Sequence, residues 1–218
     1  MINKATKPLL LLCFILMLVA CQKSDCDKNP EPGPQSSKYF VLSLTPTASV
    51  PGLTFLGVES FQQTTEYTCG PAAVLSLLKF YGKTGDEMSM AGEMGTSNLT
   101  GTTPQQMTTW LNAHNFTASW QQGGSLEILR QNLANNRPTL VEWSDWGGHW
   151  VLVIGYDTRN TDDPMDDVII FADPYDRHDD SKDGYTWFNA QRFYYMWYDA
   201  LLFGSLMKQV YITATPNS

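Results

Sequence analysis

Two periodicities divide the chain. From Gly70 onward Ala73, Val74, Leu77, Leu78 and Tyr81 recur at spacings of three and four and stop at Gly82, which predicts an amphipathic helix with Cys69 at its N-terminal edge. A second helix is expected from Thr103: Pro104 suits the first helical position, Gln106 completes a capping box, and Met107, Trp110 and Leu111 form an inward stripe. A third is expected over 125–135. Ahead of them, apolar runs at 39–44 and 53–58, separated by a Pro and Gly turn, read as strands. After Pro138 the texture turns to β, with strands expected at Thr139–Trp143, 150–156, Val168–Ala172 and 209–213. The aromatic stretch 193–203 is expected to form a helix over the resulting sheet. Helices come early and strands mostly late, and that segregation predicts an α+β domain with an antiparallel sheet.

The first residues follow a different rule. Lys4 and Lys7 precede an apolar run at 9–20, the length of a signal-peptide core and short of the roughly 20 residues that span a bilayer. The run ends in Leu18-Val19-Ala20-Cys21, which resembles the lipobox of bacterial lipoproteins. That resemblance implies removal of 1–20, diacylation of Cys21, and a protein held by lipid to the cell envelope on the periplasmic or cell-surface side. Residues 21–38 are polar, contain Pro30, Pro32 and Pro34, and read as a flexible tether. The remainder, 39–218, shows no internal repeat or second linker and is expected to be a single domain.

Composition narrows the partners. The chain has 218 residues, 43% hydrophobic and 17% charged, enough for one ordinary core and too apolar for a long disordered protein. Its 14 Lys and Arg against 22 Asp and Glu give a net charge of -8; loss of Lys4 and Lys7 with the signal segment makes it more acidic still. With no basic block anywhere, nucleic acid is not expected as a partner. Four cysteines, at 13, 21, 26 and 69, are too few and too uneven for a disulfide framework, and no Cys-x-x-Cys spacing suggests zinc. Cys13 leaves with the signal segment, Cys21 carries lipid, Cys26 lies in the tether, and Cys69 belongs to the domain; whether Cys26 pairs with Cys69 stays open. No cofactor is expected. Two acidic groups, Asp162, Asp163, Asp166 and Asp167 and then Asp176, Asp179, Asp180 and Asp183, flank Asp173 in sequence and read as a solvated face bearing on substrate approach. A calcium loop opening at Asp179 fails, because Asn189 and Ala190 stand where the closing acid belongs.

Candidate chemistry centres on Cys69. A thiol where a helix begins meets the positive end of the helix dipole and unpaired N–H groups, both of which favour the thiolate; an inert buried cysteine would look the same from a lone Cys-Gly pair. Three histidines are available as a base. His114 falls at a helix end and His178 in a hydrophilic loop, whereas His149 follows Gly147-Gly148 and opens an apolar strand. If 150–156 and Val168–Ala172 form a hairpin centred near 161, His149 faces Asp173, and a carboxylate there would orient the imidazole. Asp173 before Pro174 also suits a plain turn. Gln62 and Gln63 both precede Cys69 at a distance from which a side-chain amide could join the Cys69 N–H in stabilising an oxyanion; spacing alone does not choose between them. Trp143, Trp146 and Trp150 around His149 are candidates for a wall of the site or for core, with core favoured for Trp150.

These residues carry a family resemblance. Gln63-Thr64-Thr65-Glu66-Tyr67-Thr68-Cys69-Gly70-Pro71-Ala72-Ala73, followed by Lys79-Phe80-Tyr81-Gly82, resembles the nucleophile segment of papain-like peptidases of the bacteriocin-processing, double-glycine-leader family. Gly148-His149-Trp150-Val151-Leu152-Val153-Ile154-Gly155-Tyr156 resembles their histidine strand, and Ala172-Asp173-Pro174-Tyr175 their aspartate turn. The resemblance implies a papain-like cysteine peptidase fold, with Cys69 as nucleophile, His149 as acid and base, Asp173 as orienter and Gln63 as oxyanion donor. It implies a thiol-dependent hydrolase acting on a peptide or protein substrate. An acyl or γ-glutamyl transferase, or a surface binding lipoprotein without catalysis, are the alternatives. Family members are usually fused to a transporter and work on the cytoplasmic side, so leader cleavage after a double glycine is not carried over to this chain.

Overall fold

The structure, a computed structural model, describes residues 50–176, 183–201 and 203–217. The signal segment 1–20, Cys21 and Cys26 with the tether, the strand expected at 39–44, His178, Asp179 and Asp180 lie outside them, as does the side chain of Trp146. Element order is β1 (Leu53–Phe55), α1 (Cys69–Phe80), α2 (Glu87–Met94), α3 (Pro104–Ala113), β2 (Phe116–Gln121), α4 (Leu126–Ala134), β3 (Thr139–Trp143), a 3-10 turn (Asp145–Gly147), β4 (His149–Asp157), β5 (Val168–Ala172), β6 (Tyr185–Asn189), α5 (Ala190–Met196) and β7 (Tyr211–Pro216).

The strands form one antiparallel sheet in the order β2-β7-β3-β4-β5-β6. β3 pairs with the first half of β4, up to Thr139↔Val153, and β1 pairs with its end, Leu53↔Asp157 to Phe55↔Gly155. All nine residues of β4 and all five of β3 and β5 are buried, as a strand in the middle of a covered sheet requires. The acidic turn 158–167 closes the β4–β5 hairpin at the far end of β4 from His149, about 26 Å away at the rise of an extended strand. It therefore does not flank the site, contrary to expectation. Nor are the acidic groups purely solvated: Asp167 is buried, accepting from the Tyr156 hydroxyl at 2.6 Å, and Asp176 is buried, accepting from the Gly184 N–H at 2.7 Å.

α1 departs from the expected amphipathic pattern. Its residues from Cys69 to Leu78 are all buried, which marks a central helix enclosed on every side. Gly70, Ala72, Ala73 and Ser76 make this possible by letting neighbouring elements approach closely. A Cβ on Gly70 would lie 2.9 Å from both Cβ and Oγ1 of Thr102. α3 begins as its sequence predicts: the Thr103 hydroxyl accepts from the Gln106 N–H, and Gln106 Oε1 accepts from the Thr103 N–H at 2.8 Å. Such a cap contributes about 0.5–2 kcal/mol. α4 starts at its N-cap Ser125, whose side chain accepts from the Ile128 N–H.

Three elements escape the sequence reading: α2, β2 and β6. The helix expected at 193–203 is instead α5, which begins three residues earlier and stops at Met196. Asn189 caps its start by accepting from the Arg192 N–H, and the chain then extends to set Trp197 into the core.

Candidate active site

Cys69 is the first residue of α1, where the leading N–H groups of a helix have no intrahelical acceptor. The loop before it is braced by a threonine pair, Thr65 Oγ1 to Thr68 Oγ1 at 2.9 Å, and by α2, whose buried Glu87 accepts from the Thr64 N–H at 2.9 Å. His149 opens β4 directly after two glycines with φ of 86° and 97°, conformations that a side chain disfavours. This sharp entry, following the 3-10 turn, sets the imidazole at the sheet's end. The ring lies against Trp143, centroids 5.3 Å apart, and the edge of Tyr175 meets it at 6.3 Å.

Asp173 follows β5. The hairpin is the expected one, but its register is not: Leu152 pairs with Ala172, and an irregularity between Val153 and Gly155 shifts the remainder. Asp173 thus lies just past the ladder and meets His149 through its side chain, Oδ1 to Nε2 at 2.7 Å. Every polar atom of Asp173 is engaged. Oδ1 also accepts from the Tyr175 N–H at 2.8 Å and Oδ2 from the Thr186 hydroxyl at 2.7 Å; its N–H donates to Gly184 O, and its carbonyl accepts from Ser60 Oγ and Gln62 Nε2.

The electrostatics follow from burial and these contacts. Burial pushes the Cys69 thiol up, but the hydrogen bond and charge of His149, with backbone hydrogen bonds from Trp150 and Gly70, bring it below the ordinary thiol value. Burial pushes His149 down, and Asp173 and Cys69 together raise it to about 9. Asp173 is raised by burial and lowered more by His149, Tyr175 and Thr186, so it stays ionised. With Nε2 on the carboxylate, Nδ1 is the nitrogen left for the thiol. The arrangement favours a thiolate–imidazolium pair with the carboxylate behind it.

The two glutamines separate in space. Gln62 spans to the aspartate segment, donating to Asp173 O at 2.8 Å and accepting from the Asp176 N–H at 3.2 Å. Gln63 stays on the loop that enters α1, its Nε2 donating to Thr65 O at 2.7 Å and its Oε1 buried without a partner. Trp143 and Trp150 are both buried, so neither indole forms an open wall of the site; Trp150 Nε1 donates to Thr102 O at 2.9 Å. The sequence reading does not single out Thr186, and it includes Tyr175 only as the end of the aspartate turn. Thr186 would have emerged had β6 been recognised beside β5, since Phe171 pairs with Thr186.

Residues 55–200 match the Peptidase_C39 like family. The peptidase domain of Streptococcus ComA, a bi-functional ABC transporter involved in a quorum sensing pathway, superposes with a TM-score of 0.53 at 17% identity, covering 72% of this chain and 97% of that one. A double glycine motif protease from an AMS/PCAT transporter, solved with the leader peptide, gives a TM-score of 0.49 at 14% identity, covering 73% of this chain and 92% of that one. No curated protein matches the sequence. The likeness is one of fold, and it bears out the expected α+β, papain-like architecture.

Proposed function

The chain belongs to the Peptidase_C39 like family and is a thiol-dependent hydrolase of the cysteine-peptidase type; from that premise we propose that it cleaves peptide bonds through Cys69, His149 and Asp173, with Gln63 as oxyanion donor. The observation that carries this reading is the placement of His149, whose Nε2 meets Oδ1 of buried Asp173 at 2.7 Å while its hydrogen bonding and charge act to lower the Cys69 thiol. The Cys69 thiolate attacks the carbonyl, and the oxyanion is held by the Cys69 N–H and the Gln63 amide. The imidazolium then gives its proton to the leaving amine as the C–N bond breaks. Water gives a proton to the now neutral His149 as its oxygen attacks the thioester carbonyl; the C–S bond then breaks, the acid departs, and the Cys69 thiolate is left beside the imidazolium. We place the protein outside the cytoplasm, held by lipid on Cys21, a reading supported by the basic start, short apolar run and small-residue exit of its first residues.

Alkylation by iodoacetamide tests the pair directly. Cys69 is expected to be alkylated stoichiometrically near neutral pH, at a rate that rises with pH from below the ordinary thiol value, and to slow at least tenfold in His149→Ala. Equal rates in the two proteins would overturn the assignment of His149.

A further inference from the structure

Glu142 is the one acid in the apolar strand β3, and the mechanism above does not use it. It is 1% exposed, and its Oε2 is buried with no hydrogen-bond partner. Its register partner across β4 is Trp150, the residue after His149 and one whose backbone bonds Cys69. A second buried carboxyl lies within electrostatic range. The Ser144 N–H donates to Met196 O at 3.1 Å, which brings the segment after α5 to the end of β3 and with it Asp199, 2% exposed. Asp199 is tied on both sides to Met207: Oδ1 accepts the Met207 N–H at 2.5 Å, and the Asp199 N–H donates to Met207 O at 3.1 Å.

Two neighbouring carboxyls in so dry a place do not both ionise. An unpaired polar atom in the interior costs about 1–3 kcal/mol, and an unpaired charge costs far more. Each carboxyl leaves one buried oxygen without a partner, Glu142 Oε2 and Asp199 Oδ2, but Asp199 Oδ1 accepts the Met207 N–H whereas Glu142 has no donor, so Glu142 is the member that keeps its proton.

We propose that Glu142 keeps its proton beside Asp199, and that Glu142 is thereby a positioning residue that presents the Cys69 thiolate with a neutral acid instead of a second anion. The groups facing Glu142 are Asp199, Cys69 and His149; burial, then Asp199 and Cys69, push its carboxyl up to about 9, against the smaller downward pull of His149. Because Cys69 acts on Glu142 more than His149 does, a carboxylate here weighs against the thiolate more than it supports the imidazolium. Asp199 acts at one remove, by making ionisation of Glu142 costly. The inference rests on the reading of Cys69 and His149 as the reacting pair.

Two measurements on the whole protein test it. Infrared spectra at neutral pH are expected to show a neutral carboxylic acid band in the wild type that Glu142→Gln lacks. In Asp199→Asn that band is expected to titrate at lower pH than in the wild type, and iodoacetamide alkylation of Cys69 to slow at least threefold over the interval where it has been lost; adding Glu142→Gln restores the rate. A wild-type spectrum without the band, or a rate in Asp199→Asn that does not follow the band or is not restored by Glu142→Gln, overturns the proposal. An unreactive Cys69 in the wild type sinks the peptidase reading instead, and the infrared comparison still decides where the proton resides.

Discussion

Asp173 and Gln63 illustrate two ways a side chain is committed. Asp173 is saturated with partners and so has one position; Gln63 is held by one bond to Thr65 O and keeps a second amide hydrogen for a substrate. An oxyanion forms during attack on a carbonyl but not during displacement at iodoacetamide. Gln63→Ala is therefore expected to slow peptide hydrolysis by about 10²-fold while iodoacetamide still alkylates Cys69 at about the wild-type rate; a parallel loss in both assays would make Gln63 a structural brace. Cys69, His149 and Asp173 were each legible locally, as a thiol at a helix start, a ring after two glycines and an acid before proline. Spacing alone did not choose between Gln62 and Gln63, because it says how far an amide reaches and not which way the loop turns it; only the family resemblance named Gln63. Glu142 was equally silent: a lone acid in an apolar strand signals an oddity but not its neighbours, since Asp199 arrives from far along the chain.

Among the elements, α1 carries the greatest constraint, since its start must place Cys69 while its body is enclosed. Gly70 lies against Thr102, whose carbonyl receives Trp150 and whose hydroxyl bonds Thr96 Oγ1 at 2.8 Å. Gly70→Ala is expected to cost about 1–3 kcal/mol by overpacking, read from urea unfolding, and to slow alkylation of Cys69 at the same time. Unchanged stability would mean that Thr102 yields without resistance. α1, α3 and α4 were legible from their periods and caps, and β3 and β5 from continuous apolar runs. α2 was missed because it is only eight residues long and has Gly92 inside, so that Met90, Ala91 and Met94 make too short a stripe to stand out; it forms where Asp86 caps it and α1 packs beside it. β2 and β6 lie at the two edges of the sheet, where a half-exposed strand carries a weaker apolar signature.

Stability of the whole molecule depends on where protons reside. Folded His149 keeps its proton to about 9 while the unfolded ring loses it near 6.5, so this contribution is lost as pH rises between them. Cys69 does the reverse, having given up in the folded state a proton that the unfolded thiol keeps until about 9.0. The two act in opposite directions, because the ion pair moves a proton from sulfur to ring. Glu142 is not offset: folded it stays protonated to about 9, unfolded it ionises near 4.5. Glu142 is therefore expected to contribute a fall in unfolding free energy of about 1.4 kcal/mol per pH unit between 4.5 and 9, and Glu142→Gln to flatten the slope by that amount. Urea titrations at three pH values measure it; the same slope in both proteins would refute the assignment.

The long hairpin of β4 and β5 has a practical consequence. Its acidic turn at 158–167 is separated from His149 by the full length of a buried strand, so it offers a place to splice in an affinity tag, a fluorophore or a surface linkage. A protein immobilised there would leave its reacting end turned toward solution, where immobilised peptides or captured lysates can be presented to it.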